Sequence, residues 1–466
     1  MVIKTIKQGG TAKTISSLII LSNIIRFFCL WLNYVFTSKN ISFVVKEFAV
    51  LLSRAPKGTS DVLPSQIDYW YHTENIIKEV LQVYGYREIR TPAFEHTELF
   101  IRGIGEATDI VNKEMFTFQD RKGRNLTLRP EGTAPVVRAF LEHNMGRENP
   151  LVKLFYLGNM FRCEKPQAGR YRQFNQFGLE AIGSQSAIID AEIIQASLAI
   201  YQKIGLANLK LIINSVGCRK CRPKYLEVLR EYFGDRRELL CNDCRERYDK
   251  NPLRILDCKN EKCQLQIKNS PTIFEYLCED CKNHFQKLRN HLETLEIEYQ
   301  VNPLLVRGLD YYTKTAFEII SGELGSQNAV GGGGRYDYLV EELGGKHTPA
   351  VGFAAGIERI IATMEKQKVE IPSWKGIRVF VAAINPEDYS LALKIIKDIR
   401  ENGISAEMDF LEKSLKAQMR LANKLNVSYV LIIGGEELKL QKVTLKNMAN
   451  GEQEIININQ IVECVK

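Results

Sequence analysis

Features typical of several protein classes are missing from this chain of 466 residues. It contains no internal repeat and no low-complexity segment, which excludes a repeat architecture. No cleavable signal peptide is evident, so we expect the reducing cytoplasm and no disulfide framework. The formal net charge of +8 is only a mild basic excess for this length. It fits a polyanionic partner such as RNA, but it also fits many proteins that never contact nucleic acid.

The first fifty residues differ in composition from the remainder. The stretch Leu18–Phe36 is apolar except for Ser22, Asn23, Arg26 and Asn33. A membrane-spanning helix needs about 20 mostly apolar residues, and an arginine in mid-run costs about 2.5–3.5 kcal/mol on insertion scales. One interpretation is a membrane anchor. The interpretation that we favour is an upstream stretch, residues 1–50, that is not part of the main fold, so no membrane association is expected.

Hydrophobic periodicity divides the rest of the chain into helices and strands. Apolar residues at helical spacing predict one helix between Pro64 and Gly85 and another over Ser186–Ile204. Aromatic and β-branched residues predict strands at about 151–162 and 172–183. Because only a short charged loop joins these two strands, we expect them to form an antiparallel pair.

The pattern changes after a linker predicted at residues 373–376. Strands then alternate with helices, which indicates a small α/β domain with a largely parallel sheet. We therefore predict a large α+β domain, built on an antiparallel sheet, over residues 51–372. A Cys-rich helical module is inserted in it at about residues 215–290, and the C-terminal α/β domain is expected over residues 376–466.

Eight of the eleven cysteines lie between Cys218 and Cys281, so they form a local feature. Zinc-ribbon spacing predicts one set of four and leaves the other four as a second set. The first set is Cys218, Cys221, Cys241 and Cys244, and the second is Cys258, Cys263, Cys278 and Cys281. Four thiolates favour tetrahedral zinc in a structural role, whereas the alternative is a group of unpaired buried thiols. The residues alone leave both interpretations open.

Arginines are concentrated in the segment FRCEKPQAGRYRQF, residues 161–174. Arginine presents a planar fork of donors that binds phosphate oxygens and keeps its charge. Arg162, Arg170 and Arg172, together with Phe174, therefore suit a nucleotide, with charge for the phosphates and an aromatic face for the base. The alternative for any one of these arginines is a solvated, charged hairpin.

Two later segments place an arginine beside apolar residues or glycines. In LVRGLDYY, residues 305–312, Arg307 lies among apolar residues, where an arginine is costly unless it is paired or catalytic. Tyr311 and Tyr312 are predicted on a strand, with side chains on opposite faces. In GGGGRYD, residues 331–337, the glycines allow close approach of the backbone to a ligand or a strand. The run lacks the Lys-Ser/Thr of a P-loop, which excludes that class of phosphate site.

Two shorter segments offer further polar groups. Glu131 and Thr133, in LRPEGT, supply anionic and hydroxyl acceptors that suit a substrate ammonium group. In GFAAGIER, residues 352–359, small residues allow close packing of a strand on a helix, and Arg359 could reach a phosphate. Each segment alone is a modest signal, since an isolated arginine is more often a surface residue.

The order and combination of these segments resemble the class II aminoacyl-tRNA synthetases and, within them, the histidyl-tRNA synthetase family. FRCEKPQAGRYRQFNQFG is similar to the second motif of the class, and GFAAGIERI is similar to the third. LVRGLDYY and GGGGRYD resemble two segments peculiar to the histidine enzymes, and APKGTSDVLP resembles their opening segment. The resemblance extends from about residue 55 to the C-terminus. It implies activation of L-histidine by ATP and its transfer to tRNA(His).

The resemblance also implies a role for each matching residue. Arg307 would steady the transition-state phosphate in place of a metal ion, and Arg162 would contact the α-phosphate and the substrate carboxylate. Glu180 and Tyr312 would read the two imidazole nitrogens. The residues implied to bind ATP are Arg162, Glu164, Arg170, Phe174 and Arg359. Those implied to bind histidine are Glu131, Thr133, Gln176, Glu180, Tyr311 and Tyr312, and those implied to be catalytic are Arg307, Arg162 and Gln176.

The resemblance also implies cofactors and partners, and the chain departs from the family's pattern at two positions. The resemblance implies ATP as substrate with Mg²⁺, a homodimer, and an anticodon-binding role for the C-terminal domain. Asn175 stands where many relatives have histidine, and Tyr338 where glycine is frequent, and we expect both to tune the edge of the pocket at most.

Two non-catalytic alternatives remain. A synthetase-like subunit that senses histidine for a biosynthetic enzyme would lack the anticodon-binding domain and often the catalytic arginine, whereas this chain has Arg307 and a C-terminal α/β pattern. An RNA-binding module without catalysis would not need the nucleotide-site residues.

Overall fold

The computed structural model describes residues 54–106, 108–164, 169–322, 328–372 and 374–466. They form two compact units, divided between Glu370 and Ile371. The N-terminal segment for which the sequence left a membrane anchor open lies outside the described residues. Across the described part of the chain, each helix is too short or too polar to cross a bilayer.

Helices and strands of the first unit follow one another without a repeating order. The helices are α1 (Ile67–Val83), α2 (Thr97–Ile104), α3 (Thr133–Glu142), α4 (Ala187–Ile204), α5 (Arg222–Gly234), α6 (Asn242–Lys250), α7 (Glu261–Ile267), α8 (Glu279–Thr294), α9 (Leu339–Glu342) and α10 (Ile357–Gln367). The strands are β1 (Arg87–Glu88), β2 (Phe94–His96), β3 (Phe116–Gln119), β4 (Asn125–Leu128), β5 (Val152–Phe161), β6 (Gln173–Ile182), β7 (Leu209–Ser215), β8 (Gln300–Val301), β9 (Thr313–Ser321), β10 (Ala329–Arg335) and β11 (Ala350–Gly356). The strand pair predicted on either side of the arginine-rich loop is β5 and β6, and its antiparallel pairing is confirmed.

An eight-stranded sheet forms the centre of the first unit, in the order β1-β5-β6-β11-β10-β9-β7-β8. Only the outermost pairs, β1 with β5 and β7 with β8, are parallel among these described strands. The inner pairs are antiparallel. The predicted α+β domain on an antiparallel sheet is therefore confirmed. A separate three-stranded sheet has the order β2-β4-β3.

The helix α4 covers one face of this sheet. It begins after Ser186, whose hydroxyl accepts the Ile188 N–H at 3.4 Å, and ends before Gly205, whose φ is +98°. The ring of Tyr201 lies 6.3 Å from that of Phe353 on β11. Because successive side chains of a strand alternate between faces, the neighbours of Phe353 on β11 point to the opposite face of the sheet.

The predicted Cys-rich helical module is confirmed between β7 and β8. It consists of α5, α6, α7 and α8, with a 3-10 turn over Pro252–Ile255. It has its own apolar cluster, in which Tyr225, Leu229 and Phe233 of α5 are buried. The module is therefore a small folded element carried by the larger sheet.

The second unit contains a five-stranded sheet flanked by helices. Its strands are β12 (Val379–Ala383), β13 (Ala406–Met408), β14 (Tyr429–Ile433), β15 (Lys442–Asn447) and β16 (Gln453–Asn457), and its helices are α11 (Tyr389–Glu401), α12 (Leu415–Lys424), α13 (Glu436–Lys439) and α14 (Ile461–Val465). The α/β prediction is confirmed.

The expectation of a largely parallel sheet is wrong for the end of the second unit. β12 pairs in parallel with β13 and β14, but β14 with β15 and β15 with β16 are antiparallel. A parallel connection needs a crossover of about a dozen residues or more. The connection from β15 to β16 is only residues 448–452, so these two strands form a hairpin.

Candidate active site

A cavity of about 850 Å³ opens on the sheet face opposite α4, over β6, β9, β10 and β11. The four arginines that the sequence analysis assigned to phosphates all line it: Arg162, Arg170, Arg307 and Arg359. Phe174, Gln176 and Glu164 line it as well. The structure thus brings together side chains that are almost two hundred positions apart in the sequence.

Arg162 lies at the end of β5, where the chain leaves the sheet. Its backbone N–H donates to the Arg172 carbonyl at 2.9 Å, and its Nε donates to the Pro130 carbonyl at 2.9 Å. The guanidinium carbon lies 5.4 Å from the centroid of the Phe174 ring. Arg162 and Phe174 therefore form one charged and aromatic corner of the cavity.

The other charged side chains of this corner are Glu164, Arg170 and Arg359. Glu164 accepts from Arg170 Nη1 at 2.9 Å and lies 3.8 Å from Arg162 Nη1. Arg359 donates from Nε to the Gly169 carbonyl at 3.1 Å and from Nη1 to the Ala329 carbonyl at 2.9 Å. Burial and then the Arg170 guanidinium lower the pKa of Arg359. Arg162, Arg170 and Arg359 therefore bring three positive charges together in this corner, where an anionic ligand could bind.

Arg307 lines the same cavity from the segment that precedes β9. Its guanidinium lies on the backbone of Gly332, where an added Cβ would be 2.6 Å from Nη1, and it forms an ion pair with Glu318. Its Nε is buried and has no hydrogen-bond partner among the described residues. Burial acts to lower the pKa of Arg307, but Glu318, Tyr312 and Asp257 together outweigh burial, so the pKa is raised. A glycine at Gly332 is what allows this cation to lie flat against the sheet.

A buried carboxylate lies behind the cavity. Glu180 is 1% exposed and accepts from the Thr133 hydroxyl at 2.7 Å and from the Tyr336 hydroxyl at 2.6 Å. Burial raises the pKa of Glu180 to about 8, in spite of these two donors. Gly352 provides the space, since a Cβ there would be 1.8 Å from Glu180 Oε2.

Glu131 and Gln176 connect this buried region to its surroundings. The Glu131 carboxylate accepts from the backbone N–H groups of Thr133 and Ala134, at 2.8 and 2.9 Å, and so binds the N-terminus of α3. Burial raises the pKa of Glu131. Gln176 Oε1 accepts from the Tyr156 hydroxyl at 3.1 Å. Gln176 and Glu180 are four residues apart on β6 and therefore share a face.

The strand prediction for Tyr311 and Tyr312 is wrong. Both residues precede β9, Tyr311 in a turn and Tyr312 directly before the strand begins, and their ring centroids are 4.8 Å apart. Both belong to the same apolar cluster, because burying two rings together outweighs strand alternation at this position. Tyr311 also lies 5.7 Å from Tyr336 and lines a separate cavity of about 190 Å³ with Asp310.

Sequence reasoning gave no role to Tyr336 or Tyr156, although both bond site residues. Tyr336 lies within GGGGRYD, so its position beside the glycines was the signal that could have identified it. Tyr156 had a weaker signal in the sequence. In the structure its ring fits between Gly132 and Gly178, where an added Cβ would be 2.3 and 2.4 Å from the ring. Arg335, by contrast, is fully buried and is paired with Asp190 at 2.5 Å, away from the cavity.

The cysteines group differently from the sequence prediction. One set of four ligand atoms is Cys218, Cys221, Cys278 and Cys281, and the other is Cys241, Cys244, Cys258 and Cys263. The predicted grouping by neighbouring pairs is wrong because α5 and α8 bring the first and last pairs together, while the residues between them fold back as a closed loop. We call these sets the outer and inner clusters.

Comparison with known proteins connects this geometry to a family. A family profile described as Histidyl-tRNA synthetase matches residues 58–221 and 258–360, and one described as Anticodon binding domain matches residues 378–466. The histidine–tRNA ligase of Caldanaerobacter subterraneus is 51% identical over 416 residues, which are 89% of this chain and 100% of that protein. The chain belongs to the histidyl-tRNA synthetase family. The resemblance stated from the sequence motifs is confirmed.

Other members of the histidyl-tRNA synthetase family agree with this assignment. The histidine–tRNA ligase of Clostridioides difficile is 47% identical over 417 residues, 89% of this chain and 99% of that protein. The crystal structure of apo histidyl-tRNA synthetase from S. aureus matches with a TM-score of 0.74 at 38% identity, covering 88% of this chain and 99% of that chain. A Bacillus halodurans structure described as an ATP phosphoribosyltransferase regulatory subunit/histidyl-tRNA synthetase has a TM-score of 0.60 at 22% identity, over 82% of this chain and 99% of that one. This last likeness is one of fold alone.

Proposed function

We propose that the histidine–tRNA ligase reaction of this chain takes place in the cavity lined by Arg162 and Arg307. Histidine is activated with ATP to histidyl-adenylate and is then transferred to tRNA(His). The observation that carries the proposal is the convergence of four arginines on one cavity beside a buried carboxylate. Phosphoryl transfer needs little covalent chemistry from the protein and depends on positioning and fixed charge.

ATP binding is assigned to the corner at the end of β5. Arg170 and Arg359 would hold the outer phosphates, and Phe174 would stack on adenine. Arg162 would contact both the α-phosphate and the carboxylate of histidine. Glu164 keeps Arg162 and Arg170 apart and oriented through its two ion pairs.

The first chemical step is an in-line displacement at the α-phosphorus. An oxygen of the histidine carboxylate forms a bond to phosphorus, and the bond to the oxygen of pyrophosphate breaks. Arg307 lines the same cavity as Arg162 and would stabilise the charge that develops on the phosphoryl oxygens. In the second step the terminal ribose hydroxyl of the tRNA attacks the acyl carbon, and AMP leaves.

Histidine specificity is assigned to the buried end. Glu180 and Tyr312 would bind the two imidazole nitrogens, with Tyr311 alongside. Glu131, Thr133 and Gln176 would surround the α-amino group. Such a site rejects analogues that lack a ring nitrogen, because its buried polar groups would then lose their partners.

Mg²⁺ is expected with ATP in this family, and the cavity carboxylates fit it. Glu318 and Glu358 both line the cavity, and Glu358 Oε2 is buried without a hydrogen-bond partner among the described residues. Carboxylate oxygen is the ligand that Mg²⁺ prefers. The ion would neutralise charge on the phosphates, and Arg307, which is paired with Glu318, would supply a fixed cation in the same cavity.

We also propose zinc, in a structural role, for the cysteines between Cys218 and Cys281.

We propose a homodimer as the assembly. The dimer proposal rests on the three-stranded sheet, where Phe94 and Phe118 are about half exposed and their rings lie 6.3 Å apart. A double Phe94→Ser, Phe118→Ser variant should sediment as a monomer. A dimer of unchanged stability in this variant would contradict the use of this surface.

The segment 1–50 is proposed to lie outside the enzyme. The supporting observation is that the relative from Caldanaerobacter subterraneus aligns over its whole length with 89% of this chain. Histidine-dependent exchange by a chain that begins at residue 51 should match that of the full chain. A large loss of exchange on truncation would overturn the proposal.

The test of the proposed function is ATP–pyrophosphate exchange that depends on histidine. Wild type should show it, and Arg307→Ala should lower it by about 10²–10³-fold, the usual effect of removing one fixed donor from a developing charge. Undiminished exchange in the variant would remove Arg307 from the mechanism. Absence of exchange in the wild type would favour the non-catalytic histidine-sensing alternative.

A further inference from the structure

We infer that the module holds two zinc ions in separate four-thiolate sites, and that the inner ion builds one wall of the nucleotide cavity. This inference rests on the proposed function for the identity of that cavity and on the zinc proposal for the metal. It goes further by assigning the ligands of each ion and by giving the inner ion a role in catalysis.

The sulfur positions fit zinc in both clusters. In the outer cluster, Cys218 Sγ lies 3.7 Å from the Sγ atoms of Cys221 and Cys278, and Cys221 Sγ lies 3.7 Å from that of Cys281. In the inner cluster, the sulfurs of Cys241 and Cys258 are 3.8 Å apart. Four sulfurs at about 2.3 Å from a tetrahedral zinc ion are about 3.8 Å from one another, whereas a disulfide would bring two to about 2.05 Å.

The local backbone also suits thiolates. Cys278 and Cys241 are the N-cap residues of α8 and α6, and Cys221 is that of α5, so each lies where a helix dipole favours negative charge. The Cys218 N–H donates to Cys221 Sγ at 3.1 Å, and the Cys241 N–H donates to Cys263 Sγ at 3.2 Å. Such N–H groups stabilise the ionised sulfur that a metal requires.

The inner loop, residues 241–263 closed by the inner cluster, has buried apolar side chains in the turn at Leu253, Ile255 and Leu256, but its two helices contribute few. The one buried side chain in the nine described residues of α6 is Cys244. In α7 the buried side chains are Cys263 and Ile267. Segments this short and polar do not fold on apolar burial alone, and a metal is a usual substitute for a core.

The inner loop touches the catalytic segment directly. Arg254, which is 8% exposed, donates from Nη1 to the backbone carbonyl of Arg307 at 2.9 Å. Asn251 donates to Asp310 Oδ1 at 2.8 Å. Arg247 pairs with Asp109 at 2.7 Å. The loop that the inner cluster closes is thus bonded to LVRGLDYY at two points.

The two clusters differ in their relation to the cavity. Cys241 and Cys258, of the inner cluster, line the nucleotide cavity, and so do Arg254 and Asp257 between its ligands. The four outer cysteines are not among the lining residues in the described part of the chain. The inner ion therefore fixes Arg254, and through it the position of Arg307, whereas the outer ion fastens the base of the module to the sheet.

The grouping can be tested by metal content. Wild type, purified without chelators, should contain two zinc ions per chain, and X-ray absorption should show four sulfurs at about 2.3 Å from zinc. The double variant Cys218→Ser, Cys278→Ser should keep one ion, and the double variant Cys218→Ser, Cys241→Ser should keep none. Grouping by neighbouring pairs would give the reverse result and overturn our assignment. An active wild type without zinc would overturn the inference while leaving the proposed function intact.

The catalytic role of the inner ion can be tested with a matched pair. Cys241 and Cys278 are both partly exposed, and each is the N-cap of a helix, a position that serine also suits. Cys241→Ser and Cys278→Ser should each lose one ion. The first should lower kcat of histidine-dependent exchange by about tenfold or more, a typical effect of disturbing the support of a site, and the second by less than about twofold. Equal losses in the two variants would refute the coupling.

A variant that leaves the metal ligands intact addresses the possibility that Cys241→Ser merely misfolds. Arg254→Ala should keep two zinc ions but reproduce the fall in kcat with little change in the KM for histidine, and Arg254→Lys should restore part of the rate. Arg237→Ala, which removes an ion pair with Asp249 inside the module, is the control and should not change the rate. Full activity of Arg254→Ala would show that the inner loop does not position Arg307.

Discussion

The two ends of the active-site region differ in how their polar groups are satisfied. At the buried end, Glu180 already accepts two short hydrogen bonds, from Thr133 and Tyr336. At the open end, Arg307 is paired with the carboxylate of Glu318 but retains a buried Nε without a partner among the described residues. Under the proposed function, the comparison teaches that the pocket for the histidine side chain would be built in advance, whereas a nucleotide would have to rearrange the charges at the open end.

Among variants that keep Arg307, the largest effect should come from moving its guanidinium. In Gly332→Ala the new Cβ would be 2.6–2.8 Å from three guanidinium atoms, so the flexible arginine must shift while the strand stays in place. We expect exchange to fall on the order of 10²-fold, because a misplacement of about 1 Å has that cost. Gly322→Ala is the control, since an added Cβ there meets nothing within 4 Å. Similar rates for the two variants would mean that the flat position of Arg307 is unimportant.

A smaller effect is expected from the corner that is proposed to bind adenine. Phe174→Leu keeps an apolar side chain but removes the ring on which adenine would stack and over which the Arg162 guanidinium lies at 5.4 Å. Stacking contributes about 1–3 kcal/mol, so the KM for ATP should rise about tenfold while the KM for histidine stays the same. If histidine binding weakens as much as ATP binding, the division into two ends is wrong.

The smallest effect concerns stability rather than rate. Glu180, whose pKa is raised by burial from its usual 4.5 to about 8, favours the folded state while it is protonated. This contribution is complete below about pH 4.5 and is lost as the pH rises to about 8. Glu180→Gln cannot ionise, so its melting temperature should rise relative to wild type between pH 5 and pH 8.5.

The control for this prediction is a carboxylate on the surface. Glu79 is 60% exposed, and the difference between Glu79→Gln and wild type should stay constant over the same pH range. Melting curves recorded by circular dichroism are sufficient for the comparison. A constant difference for Glu180→Gln as well would show that Glu180 is ionised throughout and that the buried end is not built as described.

How much of the structure could be predicted from the sequence depends on how far apart in the chain the interacting residues lie. The helix from Ala187 to Ile204 could be predicted with its ends, because Ser186 and Gly205 carry local signals for a cap and a stop. The irregular backbone at Tyr311 and Tyr312 could not be predicted, because the burial of both rings in one cluster depends on residues from distant strands. The hairpin of β15 and β16 was missed because helices and strands alternate as far as β15, and only β16 follows a strand directly.

The cysteines show the same limit most clearly. Their number and two-residue spacings predict metal-binding sets, but spacing favours grouping each pair with the next pair along the chain. In the structure, α5 and α8 bring together cysteines that are 60 positions apart, and this long-range packing decides which sulfurs meet.

The sequence by itself determined the family, the residue types of the site and the helix and strand pattern of the main sheet, because these depend on motifs and on periodicity along the chain. Only the tertiary structure decided that Arg162 and Arg307 line one cavity, that Glu180 lies enclosed by Thr133, Tyr336 and Gly352, and that the cysteines form nested sets. The physical reason is that each of these arrangements depends on burial and on contacts between segments far apart in the chain, and no local pattern encodes such contacts.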